Sequence, residues 1–287
     1  MSETATARKL DERVETGSST SKMDFEIPEP GTRAREAEGN IRLRVRRQDG
    51  PERPSYWEAF EIPRYPNMNV VECLMEIRKN PVDAEGRETT PVAWMGSCLE
   101  EVCGICTMLV NGTVRQSCSA LVDDFEEPIT LEPMQKFPVQ RDLVVNRERL
   151  FDDYRRVEAW VPIDGTYPVG PGPRMDERVR KEGYWLSRCI SCGCCVDACP
   201  QVNPESDRET FVGAAPISWA RLMNMHPTGE SLSDERYAAL MGPGGISDCA
   251  KSMNCVEVCP KEIPLMESIA AMNRQITRHL LVDWLKD

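Results

Sequence analysis

The sequence predicts an α+β chain in two parts: a strand-rich domain over 39–140 and a helical domain over 141–287. A change of texture near residue 140 carries this. Before it, short runs alternate apolar and polar residues; after it, apolar residues recur at helical spacing. A second observation is that twelve of the thirteen cysteines fall into three tight groups, one in the first part and two in the second.

Residues 1–38 are polar, aperiodic and rich in Ser, Thr, Glu and Arg, which predicts a disordered or extended tail. The tail is too acidic for a transit peptide and has no apolar stretch of signal-peptide kind. Ile41-Arg42-Leu43-Arg44-Val45 alternates as a half-buried strand does, and Tyr56 to Ile62 reads as its hairpin partner beyond the turn-rich Gly50-Pro51-Glu52-Arg53-Pro54. Asn69 caps a helix whose Val70, Leu74 and Ile77 share one face, with Cys73 beside it as a small core residue. Thr107 to Val110 and Thr113 to Cys118 flank Asn111-Gly112, a strong hairpin signal, and Pro128 to Leu131 supplies a last short strand. Two strands, a helix and then more strands is the order of a β-grasp domain.

Beyond 141, Tyr167-Pro168-Val169-Gly170-Pro171-Gly172-Pro173 reads as a linker. Helices are expected over Ile217 to Met225, Asp234 to Met241 and Leu265 to about Trp284. The last carries Leu265, Ile269, Met272, Ile276 and Leu280 on one stripe, behind Pro264. No run of eighteen apolar residues is present, so no membrane span is expected. The balance of 35 Lys+Arg against 47 Asp+Glu gives a net charge of −12, which argues against nucleic acid as a partner.

Clustered thiols point to metal ligation in a reducing compartment rather than to a disulfide scaffold. Cys98, Cys103 and Cys106, followed by Cys118, read C-x4-C-x2-C…C, the plant-type [2Fe–2S] spacing. Gly96 and Gly104 would let backbone amides approach the sulfurs. Zinc is the alternative, but it takes four thiolates most often as two C-x2–4-C knuckles, and this loop has one.

Cys189, Cys192, Cys195 and Cys199-Pro200 read C-x2-C-x2-C-x3-C-P, the bacterial ferredoxin run, in which the fourth cysteine serves a second cluster. The partner run is Cys249, Cys255 and Cys259-Pro260, with Ser252 where a cysteine would complete it. The crossing rule gives Cys189, Cys192, Cys195 and Cys259 to a [4Fe–4S] cluster. It leaves Cys199, Cys249 and Cys255 for the other, and three thiolates predict [3Fe–4S]. Ser252 is a poor substitute, since an alkoxide forms far less readily than a thiolate. Cys194 fits no register and is read as a non-ligand. Three clusters of three types across two domains suggest an electron conductor.

The groups through Cys118, through Cys199-Pro200 and over Met253-Asn254-Cys255…Cys259-Pro260-Lys261 resemble the iron–sulfur subunit of succinate dehydrogenase and fumarate reductase over about 39–287. The resemblance implies the same ligand sets. It also implies a flavoprotein partner whose FAD interconverts succinate and fumarate, and a membrane anchor at which the last cluster meets a quinone. The chain itself would have no substrate site and would lie peripherally on the cytoplasmic face of the inner membrane. Either direction, succinate oxidation or fumarate reduction, is open. Ubiquinone-reducing members carry tryptophans after the Cys-Pro and a His after the cysteine matching Cys249. Here Gln201-Val202-Asn203-Pro204 and Ala250 stand there. With Met225-His226-Pro227-Thr228-Gly229, they look more like the menaquinone-linked bacterial branch, whose anchor carries haem b. The two histidines, His226 and His279, have no C-x-H ligand spacing. A zinc-binding interaction module and a free-standing ferredoxin-like carrier are the other readings.

Overall fold

A computed structural model describes residues 36–161, 174–203 and 210–285. The tail expected over 1–38 lies outside them apart from its last three residues. So do the Pro/Gly linker at 167–173 and Pro204.

The first part is a five-stranded mixed sheet in the order β2-β1-β5-β3-β4. Strand β1 (Asn40–Arg47) pairs antiparallel with β2 (Tyr56–Pro63) and parallel with β5 (Ile129–Glu132), setting Leu43 opposite Ile129. Strand β3 (Thr107–Val110) joins β5 to β4 (Thr113–Gln116). Asn111 and Gly112 both take positive φ, 47° and 76°, as a tight hairpin turn requires. Helix α1 (Val70–Lys79) starts at a capping box in which Asn69 and Glu72 exchange side chain-to-backbone hydrogen bonds of 3.0 Å. Its Val70, Leu74 and Ile77, with Cys73, are buried against Leu43, Val45, Phe60 and Leu131. Cys73 is thus a core side chain, its thiol pushed up to about 12 by burial.

Strand order extends past 141, where the sequence shows helical texture only. A short hairpin of β6 (Val139–Arg141) and β7 (Val144–Val145) spans that point. Its turn residue Asp142 is buried and accepts from Arg47 Nε at 3.0 Å, Gln48 N at 3.0 Å and Ala93 N at 2.8 Å. Arg47, also buried, pairs with Glu58 as well. Two or three residues of alternation are too few to read as strands; a long-range ion pair creates them. Leu143 packs into the buried cluster of the sheet and α1, whereas Val145 packs with Leu109, Val114, Met134 and Phe137 into the cluster that continues through the helical part.

The second part is helical: α2 (Glu148–Arg156), α3 (Glu177–Ser187), α4 (Cys194–Asp197), α5 (Ala214–Met225), α6 (Ser233–Met241), α7 (Asn254–Glu257) and α8 (Leu265–Trp284). Leu265, Ile269, Met272 and Ile276 are buried against α5, whereas Leu280 is half exposed. Arg236 is buried, and among the described residues no carboxylate pairs with it. It donates to the carbonyls of Glu158, Trp160 and Gly229 and to Asn224 Oδ1, which pins α6 to the end of α2 and to α5. No helix among the described residues is long and apolar enough to cross a membrane.

Candidate metal centres

The first cysteine group sits on the loop between α1 and β3 and at the end of β4. Leu99, Glu101 and Gly104 hold φ values of 60°, 55° and 71° there. Such alternation turns successive amides to one side and makes an anion-binding concavity. The amides of Glu100, Val102 and Cys103 point at Cys98 Sγ at 3.4, 3.3 and 3.3 Å, and Glu101 N points at Cys118 Sγ at 3.3 Å. These donors hold the Cys98 thiol down to about 6, close to the thiolate a metal needs. Cys106 and Cys118 are buried and Cys103 is exposed, so the group opens to the surface on one side. Leu99 and Val102 stand exposed beside it, at 43% and 57%.

The second and third groups come from two runs with one design. Short helices α4 and α7 each follow a left-handed residue, Gly193 at φ 88° and Met253 at φ 69°, and each ends before a Cys-Pro. Asn254 Nδ2 donates to Ala198 O at 3.1 Å and clasps the two helices together. In this register Cys189 matches Cys249, Cys195 matches Cys255 and Cys199 matches Cys259, while Ser252 matches Cys192. Ser252 is exposed on its loop. Cys189, Cys192, Cys195 and Cys259 line one cavity, with Cys194, Ala215 and Ile263. Cys199, Cys249 and Cys255 lie near one another: burial first and Cys249 next push the Cys199 thiol up, and burial, Cys199 and Cys249 push up that of Cys255.

Among the described residues, six of the ten non-glycine residues with positive φ lie within three positions of these cysteines: Leu99, Glu101, Ser191, Lys251, Met253 and Glu262. Backbone in that region is sparsely populated for L-residues, so its concentration here marks sites rather than chance. Polar atoms also aim inward. Trp219 Nε1 is buried with no hydrogen-bond partner. Burial pushes the Cys189 thiol up, while the Ser191 amide, Trp219 and Tyr154 beside it favour the thiolate. Ile263 N lies 3.5 Å from Cys259 Sγ. Burial otherwise pushes Cys195 and Cys255 up, the latter to about 11. Thiols so desolvated ionise only with a compensating positive charge, which bound iron would supply. Amides directed at sulfur, a cysteine-lined cavity and desolvated thiols all fit iron–sulfur clusters. Among the described residues no group of three or more His, Cys, Asp or Glu side chains is placed to hold a single metal ion.

Cys194, with no place in the motif, is fully buried in the same cavity, where its hydrogen bond holds the Cys192 thiol down to about 7. His226 Nδ1 accepts from the Thr228 and Gly229 amides, and His279 pairs with Asp234 at 3.6 Å. The sequence reading missed three residues around the centres, Arg147, Tyr154 and Trp219. No local pattern announces them, because α2 and α5 bring them in from afar.

A family model described as a 2Fe-2S iron-sulfur cluster binding domain matches residues 42–152, and one described as a 4Fe-4S dicluster domain matches residues 185–263. The succinate dehydrogenase iron-sulfur subunit of Bacillus subtilis is 56% identical, over 82% of this chain and 91% of its own. The fumarate reductase iron-sulfur subunit of Wolinella succinogenes is 33% identical, over 62% of this chain and 75% of its own. Among solved structures, a chain of the Mycobacterium smegmatis Sdh1 complex in the apo form superposes with a TM-score of 0.69 at 23% identity, covering 84% of this chain and 97% of that one, a likeness of fold. This chain therefore belongs to the iron–sulfur subunits of the succinate dehydrogenase and fumarate reductase family, electron-transfer proteins with a [2Fe–2S] domain followed by a [4Fe–4S] dicluster domain.

Proposed function

We propose that this chain connects a FAD-bearing flavoprotein subunit to a quinone site on a membrane anchor subunit, in a succinate:quinone oxidoreductase. Cys98, Cys103, Cys106 and Cys118 would hold [2Fe–2S]; Cys189, Cys192, Cys195 and Cys259 would hold [4Fe–4S]; Cys199, Cys249 and Cys255 would hold [3Fe–4S]. When bound, these clusters supply one-electron redox chemistry at potentials tuned by cluster type, hydrogen bonds and burial. The protein's part is to order the sites and keep water from them. The observation that carries this reading is the closeness of the sites in series. Gly104 of the first site leaves no room for a Cβ beside Cys192 of the second, and Cys255 of the third lies near enough to the Cys195 thiol of the second to raise it, behind the larger effect of burial. A division into domains near 141 rests on the two family models, which match 42–152 and 185–263 separately.

The exposed Leu99 and Val102 suit a partner surface at the first site, where the flavoprotein would dock. At the other end Met253 is exposed beside the third group, and Leu280, Leu281 and Trp284 are exposed at the end of α8. Apolar surface of this kind suits an anchor subunit, with the chain peripheral on the cytoplasmic face of the inner membrane. Gln201 and Ala250, where ubiquinone-linked members carry Trp and His, favour menaquinone and an anchor with haem b. Direction follows from the potentials of donor and acceptor, and the same chain serves both.

Purification of the native complex from membranes tests this. A flavoprotein and an anchor should co-purify, and succinate oxidation should proceed with a naphthoquinone acceptor faster than with a ubiquinone analogue. A soluble chain that exchanges electrons without either partner would contradict the reading, and preference for the ubiquinone analogue would overturn the quinone assignment.

A further inference from the structure

Arg147 stands between the first and second cysteine groups. It directly precedes α2, and its guanidinium reaches back to the first group. Nη1 donates to Gly104 O at 2.8 Å and Nη2 to Ile105 O at 2.9 Å. Gly104 and Ile105 are the two residues between Cys103 and Cys106, so the fork caps the whole C-x2-C segment. The second group lies against the same segment: a Cβ on Gly104 would stand 2.8 Å from Cys192 Cβ and 3.2 Å from Ile190 O.

The charge of this guanidinium has no ordinary partner. Arg47, the buried arginine of the sheet, pairs with Asp142 and Glu58. Arg236 spreads its protons over four acceptors. Arg147 has two carbonyls, and its Nε is buried with no partner. Among the described residues no carboxylate pairs with it. The groups that act on its charge most strongly are the sulfurs of Cys192, Cys194, Cys106 and Cys103, drawn from both sites, and none belongs to the third group. A desolvated cation without a counter-charge is costly, so the sulfurs on either side are what make its burial tolerable.

We propose that Arg147 is the shared counter-cation of the first two clusters, favouring the reduced form of both while leaving the third untouched. Each one-electron reduction adds one negative charge to a site that four thiolates already make anionic. A fixed positive charge between two such sites lowers the cost of that added charge at each, and offsets the repulsion between them. The guanidinium also ties the first site's loop to the start of α2, so the charge keeps a fixed place. This rests on the ligand reading above. A failure of that reading would show in the wild-type complex, as missing or different clusters, before any variant is compared.

The test is a redox titration of the native complex followed by EPR, with Arg147→Gln and Arg147→Lys. Arg147→Gln should make reduction of both [2Fe–2S] and [4Fe–4S] roughly tenfold less favourable, about 59 mV lower for a one-electron couple. The [3Fe–4S] midpoint should not move. Arg147→Lys keeps the charge without the fork and should restore most of both shifts. Unchanged midpoints in a fully loaded Gln variant would overturn the proposal. So would equal shifts in the Lys and Gln variants, or a shift of all three clusters together. If neither variant retains the first cluster, Arg147 is only a clamp on the loop and the proposal falls.

Discussion

Gly104 faces Cys192 with no room for a side chain between them: a Cβ on the glycine would stand 2.8 Å from Cys192 Cβ and 2.9 Å from Cys192 Cα. The cysteine-rich loop of the first domain is thereby seated on the run that opens the second site. Gly104 also holds φ at +71°. Gly104→Ala meets both penalties and should displace the loop. Gly112 makes a clean control, with φ +76° but nothing within 4 Å of a Cβ placed there. Gly112→Ala should cost only left-handed strain, about 1–2 kcal/mol, and keep every cluster. The reduced [2Fe–2S] EPR signal, per mole of complex, should fall in the first variant and persist in the second.

Ser252→Cys should add the missing thiolate. Ser252 occupies the position that Cys192 holds in the first run, on an exposed loop that can take sulfur without crowding. The oxidised [3Fe–4S] signal should vanish and a second [4Fe–4S] signal should appear on reduction. Persistence of the three-iron signal would show that the vacancy is not set by this residue.

Tyr154 and Trp219, their rings 5.8 Å apart, both lie beside Cys189 and favour its thiolate. Hydrogen bonds to a cluster sulfur favour the reduced state. Trp219→Phe should lower the [4Fe–4S] midpoint by roughly 30 mV, about threefold in the one-electron equilibrium. Tyr154→Phe should act in the same direction, although its hydroxyl is shared with Ser191 Oγ at 3.1 Å. Redox titration reads both.

Asp153 gives a pH dependence. Burial raises its carboxyl to about 7 despite Arg149 at 3.9 Å. The native state therefore holds this proton to a higher pH than the unfolded chain, whose value is 3.8. Stability is highest below about pH 4 as far as this group is concerned, falls as pH rises through 7, and stays lowered above it. Asp153→Asn removes the titration. Its stability gain over wild type should grow from pH 5 to pH 8, to roughly 2–4 kcal/mol, read from thermal unfolding at each pH.

The sequence shows most plainly what repeats or alternates locally. Strands β1 and β2, the capped helix after Asn69, the Asn111-Gly112 turn and the stripe of α8 all stand where their patterns put them. Four of the cysteines named by spacing, Cys189, Cys192, Cys195 and Cys259, line one cavity, and Cys194, which spacing does not name, lines it with them. Contacts made by distant segments are not legible in this way. The hairpin at 139–145 exists because Arg47 reaches Asp142, 95 residues away. Arg147, Tyr154 and Trp219 look like ordinary helix residues until α2 and α5 fold over the second site. The short helices α4 and α7 are too brief for periodicity, and a left-handed residue before each starts them.

The most direct measurement is EPR of the purified, anaerobically handled complex at controlled potentials, with metal and acid-labile sulfide analysis on the same sample. The account predicts a [3Fe–4S] signal in the oxidised protein, and [2Fe–2S] and [4Fe–4S] signals as it is reduced. Zinc in place of iron without acid-labile sulfide, or an oxidised complex silent for the three-iron cluster, would contradict it.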